Sequence, residues 1–231
     1  MFLNMADKSK APVKNSSKYI KVYSQDEEIF NAVTHGVGAA LSVLGLILMV
    51  VKSAAFGSTL YLASTAVFGI SMVLLYTLST LYHSIKQEKA KQVFKILDHS
   101  SIFLLIAGTY TPFTLLVLRG AWGWSIFGVV WGLAVTGIVI ESIFINKLKF
   151  LTLILYLSMG WVVIVALRPL IRSMPQGGLH WLIAGGLSYT FGVIFYVMKK
   201  VKYTHGIRHL FVLGGTVCHF FAVYYYVIPS F

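Results

Sequence analysis

Seven apolar runs, each long enough to cross a bilayer as a helix of about 20 residues, leave this chain little else to fold into. They extend from Phe30 to Val51, Leu60 to Ser84, Ser100 to Leu118, Trp124 to Phe144, Phe150 to Leu167, Leu179 to Met198 and Thr204 to Ile228. In lipid every backbone N–H and C=O must be paired by the protein itself, and a helix achieves that within one segment. The expected fold class is therefore an all-α integral membrane protein: a seven-transmembrane helix bundle over residues 26–231, preceded by a basic, poorly ordered tail over residues 1–25. A chain that is 58% hydrophobic and only 11% charged lies outside the range of soluble domains. The first run spans and lacks a small-residue cleavage pattern, so it reads as a retained helix and not as a signal for export.

The formal charge of +12 would suit a nucleic-acid partner in a soluble protein. Here the lysines stand in short clusters between apolar runs, where they report orientation. Placing the N-terminus in the cytoplasm leaves Lys52, Arg119, Arg168 and Arg172 outside and every other one of the 19 Lys and Arg residues inside. The C-terminus is then outside, and Trp122, Trp124 and Trp181 fall at the outer interface. The expected partners are membrane lipids, with no nucleic acid. The single cysteine, Cys218, excludes an internal disulfide and thiolate metal clusters.

On this ladder His35, His83, Asp98, His99, His205 and His209 all fall at the cytoplasmic ends of their helices, Asp98 and His99 at the opening of the third. Glu141 shares that side, and the outer half holds no Asp or Glu. Ionisable groups in spanning helices are costly and face a cavity, a partner or the bundle interior. His205 and His209 are four apart and share one helix face, as do Ser79 and His83. With no thiolate at hand, three imidazoles and a nearby carboxylate favour Zn2+ in a tetrahedral site with one open position for water. The same residues admit a plainer reading: interfacial histidines, and Asp98 as the N-cap of the third helix.

The segments YTLSTLYH from Tyr76, LDHSSIFLLIAGTYTPF from Leu97 and HGIRHLFVL from His205, with EEIFNAVTHGVG from Glu27 before them, resemble the motifs of the hemolysin III family. That family of bacterial membrane proteins lies within the progestin and adiponectin receptor superfamily, which is grouped with alkaline ceramidases. The resemblance implies a bacterial inner-membrane protein with an intramembrane zinc near the cytoplasmic face. Carried over by position, its ligands are His83, His205 and His209. Asp98 holds or deprotonates the bound water and Ser79 stands behind it. Arg208 departs from the apolar or aromatic residue expected beside the last ligand; snorkelling to headgroups would keep it harmless, whereas turning inward would oppose the metal charge.

Asn31 and His35 are assigned a supporting role, His219 packing, His180 no part in the site, and Glu141 a buried or interfacial contact. The function expected is zinc-dependent hydrolysis of a lipid amide or ester by an activated water, with Asp98 as proton acceptor and donor and Ser79 steadying the oxyanion or the aspartate. Two other classes use the same chain differently: a zinc-containing sensor of membrane state without turnover, and a pore-forming cytolysin.

Overall fold

The computed structural model describes residues 23–144, 147–198 and 201–229. Among these residues there is no strand, and seven helical spans are long and apolar enough to cross a membrane. They are α1 (Gln25–Ala55), α2 (Thr59–Ser84), α3 (Glu88–Pro112), α4 (Gly120–Phe144), α5 (Lys149–Trp161) with α6 (Leu167–Ser173), α7 (Gln176–Val197) and α8 (Thr204–Ala222). The tail expected before the bundle lies, up to residue 22, outside the described residues, as do Lys199 and Lys200.

Polar helix formers carry several helices past their apolar runs. α3 starts at Glu88, because Glu, Lys, Ala and Gln in EKAKQ favour helix whether or not they face lipid. Asp98 therefore lies ten residues inside α3, so it does not open the third helix and cannot cap it. α1 likewise starts at Gln25, where the Ser24 hydroxyl accepts the Glu27 N–H at 3.3 Å and the Glu27 carboxylate accepts the Ser24 N–H at 3.1 Å.

Two spans depart from regular α geometry where they border the interior. After Pro112, which has no N–H to donate, α3 continues as a π-helical segment, Phe113–Leu118. Between α5 and α6 the chain tightens into a 3-10 turn, Val162–Ala166. The Tyr110 hydroxyl enters that break, donating to the Gly160 carbonyl at 2.8 Å and accepting the Val163 N–H at 3.0 Å.

The core runs along the contacts of α1, α2, α3 and α8, around Met49, Phe68, Met72, Leu75 and Tyr76. Glycines set these approaches: a Cβ on Gly38 would stand 2.6 Å from the Tyr76 ring, and one on Gly137 2.3 Å from Phe103. Apolar side chains such as Val33, Leu44, Val135 and Phe150 face outward, as they do where lipid is the solvent. Trp122, Trp124 and Trp181 are exposed at the end of the bundle opposite the histidines.

Candidate metal centre

The starts of α1 and α8 are tied together. Tyr203, in the left-handed region at φ 61°, precedes α8 and donates its N–H to the Glu27 carboxylate at 3.2 Å. One turn on, Gly206 meets α1 so closely that a Cβ there would lie 2.2 Å from Phe30 and 2.8 Å from Asn31. This approach sets His209 against α1, with Nδ1 3.3 Å from the Asn31 carbonyl and from the Thr34 hydroxyl. From α2, His83 reaches Glu28 of α1, its Nδ1 2.6 Å from Oε2, while Lys91 of α3 donates to Oε1 at 2.7 Å.

His83, His205 and His209 stand together, each offering a nitrogen within 4.8 Å of the others. A carboxylate and a carbonyl only accept, so His83 and His209 carry their protons on Nδ1 and turn the Nε2 lone pairs elsewhere. His83 Nε2 lies 3.1 Å from His205 Nε2. Two nitrogens on one tetrahedral ion with bonds of about 2.0–2.1 Å stand roughly 3.3 Å apart. Around them the side-chain amide of Asn31 and both ring nitrogens of His35 are buried without hydrogen bonds. His35 stacks on His209 with ring centroids 3.5 Å apart. Three imidazoles with oriented ring nitrogens, beside orphaned polar atoms, could hold a metal ion. Tyr23 closes the cluster against His83 and His205, and burial raises its phenol above the ordinary range, keeping it an O–H donor.

Glu28 was placed in sequence order only; its bond to His83 joins residues 55 apart on different helices, which no local spacing reveals. Glu28→Gln, which removes the charge and weakens the hold on the imidazole, is expected to lower metal affinity about 10- to 100-fold, read by competition with a chelator.

Arg208 does not snorkel. Its guanidinium turns inward and donates to His205 Nδ1 at 3.0 Å. A guanidinium only donates, so His205 then carries its proton on Nε2, directed at the His83 lone pair. An ion on His205 Nε2 would need that proton on Nδ1, which displaces Arg208. Arg208→Leu is therefore expected to raise metal affinity about tenfold, measured by the same competition.

A cavity of about 1040 Å3 opens beside the cluster, lined at this end by His35, Asp98, His205, Arg208 and His209 and further along by mostly apolar side chains. Asp98 is buried with Oδ2 3.3 Å from His99 Nδ1, whose N–H is given to the Lys95 carbonyl at 2.9 Å. Ser79, one turn deeper than His83, is fully buried without a hydrogen bond and does not line the cavity. Glu141 is buried on α4, accepts the Thr152 hydroxyl at 3.0 Å and faces the same cavity. His180 borders its far end.

A family model described as Haemolysin-III related matches residues 23–220. The chain is 45% identical over 204 residues to Hemolysin-3 of Bacillus cereus, covering 88% of this chain and 93% of that one. It is 44% identical over 207 residues to Hemolysin-3 homolog of Bacillus subtilis (strain 168), covering 90% and 97%. Monocyte to macrophage differentiation factor of Homo sapiens is 26% identical over 170 residues, 71% and 70% of the two chains. With seven apolar spans and bacterial relatives matched nearly end to end, this is a multi-pass protein of the bacterial cell membrane, and the chain belongs to the haemolysin-III-related family.

Proposed function

We propose that the protein is a zinc-dependent intramembrane hydrolase that cleaves a lipid amide or ester near the cytoplasmic face. The observation that carries this reading is the placement of three convergent imidazoles and a buried aspartate at one end of a large, mostly apolar cavity. His83, His205 and His209 would hold the ion. Bound there, zinc would supply Lewis-acid polarisation and a water of pKa about 7.

The remaining work falls to the chain's own side chains. Glu28 and the Asn31 carbonyl hold the His83 and His209 protons on Nδ1, which would leave both Nε2 lone pairs to hold an ion. Asp98, buried at this end of the cavity, would accept the water proton and return it to the leaving nitrogen or oxygen. Ser79 is screened from the cavity and its hydroxyl has no hydrogen-bond partner among the described residues, which favours a place behind His83 over contact with an oxyanion. The apolar walls exclude bulk water and hold the acyl chain.

The test is metal analysis of the purified protein, followed by incubation with extracted bacterial lipids in proteoliposomes with and without chelator. Bound zinc and a chelator-sensitive release of fatty acid are expected. Bound zinc with no product after long incubation would sink the hydrolase and leave the non-catalytic sensor.

A further inference from the structure

We infer that the cavity holds a second polar subsite, His219, which selects acyl chains carrying a hydroxyl near their middle. This rests on the proposed lipid reading, in which an acyl chain lies in the cavity with its carboxyl end at the histidine cluster.

His219 is buried on α8, ten residues beyond His209, or about 15 Å along the helix axis. Its Nδ1 lies 2.7 Å from the Gly215 carbonyl. A carbonyl only accepts, so the proton sits on Nδ1 and the neutral ring presents a lone pair at Nε2. That nitrogen pairs with no group among the described residues, and the residue lines the cavity.

The surrounding side chains fix the ring without serving Nε2. Tyr189 of α7 stacks on it at 5.3 Å with planes 13° apart, and Phe113 of the π segment approaches edge-on at 6.4 Å. Gly185 of α7 makes the room: a Cβ there would lie 2.3 Å from the imidazole. The neighbouring hydroxyls are committed elsewhere, Tyr76 and Tyr189 both bonding Thr216 Oγ1 at 2.7 and 2.9 Å. Thr216 passes its own proton to the Val212 carbonyl at 3.0 Å. The ring is thus a fixed acceptor in an apolar wall, and an O–H arriving on a ligand is the group that completes it. The distance from His209 sets that O–H well down the acyl chain, beyond the positions next to the carboxyl.

Ricinoleate and oleate differ by one mid-chain hydroxyl and make the test direct. Each is titrated into the full-length protein in nanodiscs, and affinity is read from the shift in melting temperature and from native mass spectrometry. The wild type is expected to prefer ricinoleate about tenfold, and His219→Phe, which keeps the ring stack, to abolish the preference while still binding oleate. Equal affinities in the wild type, or a preference that survives in His219→Phe, would overturn the subsite and leave the lipid reading intact. Failure of both acids to bind would overturn the acyl occupant itself, and the subsite with it. The wild-type comparison needs no variant, and His219→Leu replaces His219→Phe if the latter does not fold.

Discussion

His209→Ala is expected to strip the metal from the purified protein, whereas His35→Ala leaves it bound. Both imidazoles are buried, and they stack at 3.5 Å, so a general loss of packing would affect the two variants alike. They differ in where their lone pairs lie. His209 Nδ1 is turned to the Asn31 carbonyl, and its ligating nitrogen belongs to the group of three within 4.8 Å. His35 does not belong to it. Residues that only orient metal ligands change affinity about 10- to 100-fold; loss of a ligand from a site with three should exceed that, leaving no metal after gel filtration in chelator-free buffer. The readout is zinc per protein by elemental analysis, with the melting temperature of each variant as the folding control. Stoichiometric zinc in His209→Ala would mean that the three imidazoles are not the site, and the proposed hydrolase would lose its foundation.

The seven spans were legible because the demand of lipid is written residue by residue: a run such as Trp124 to Phe144, apolar almost throughout with Glu141 its only charged residue, can do little else. Helix ends were less legible. The EKAKQ segment is polar enough to look like a connection and yet helical by propensity, so α3 begins well before its apolar run and Asp98 moves from a helix end to a wall of the cavity. The pairing of His205 with His209 follows from helical period, but their meeting with His83 depends on how tightly α1, α2 and α8 pack. That packing is set by single glycines whose neighbours lie far away in sequence, Gly206 against Phe30 and Gly38 against Tyr76.

What the sequence left open or unread has two causes, one within a helix and one between helices. Arg208 had an easy route to the headgroups by the rules for a long cation near a helix end, but the inward side of α8 offered it the His205 ring at 3.0 Å. Glu28 and Asn31 gained their importance from partners on other helices. For Glu28 and Asn31 the residue type was visible and the partner was not, because hydrogen bonds between spans carry no fixed sequence interval; Arg208 and His205 stand three apart on one helix, where the interval was legible and the direction of the side chain was not.

Asp98→Asn is expected to keep the metal and lose the reaction, with turnover reduced about 10²- to 10⁴-fold. The substitution is isosteric, and the neighbouring His99 ring stays anchored on the Lys95 carbonyl at 2.9 Å, so the cavity wall should survive. What disappears is a group able to take a proton and give it back. Zinc content, melting temperature and fatty-acid release from bacterial lipid extract, measured on one preparation, separate these effects. Unchanged zinc with collapsed turnover assigns Asp98 to proton transfer. A parallel fall in zinc and turnover would instead make it a support for the imidazoles. Full turnover in Asp98→Asn would remove the aspartate from the reaction, and the buried carboxylate Glu141, which faces the same cavity from α4, would be the next proton acceptor to test.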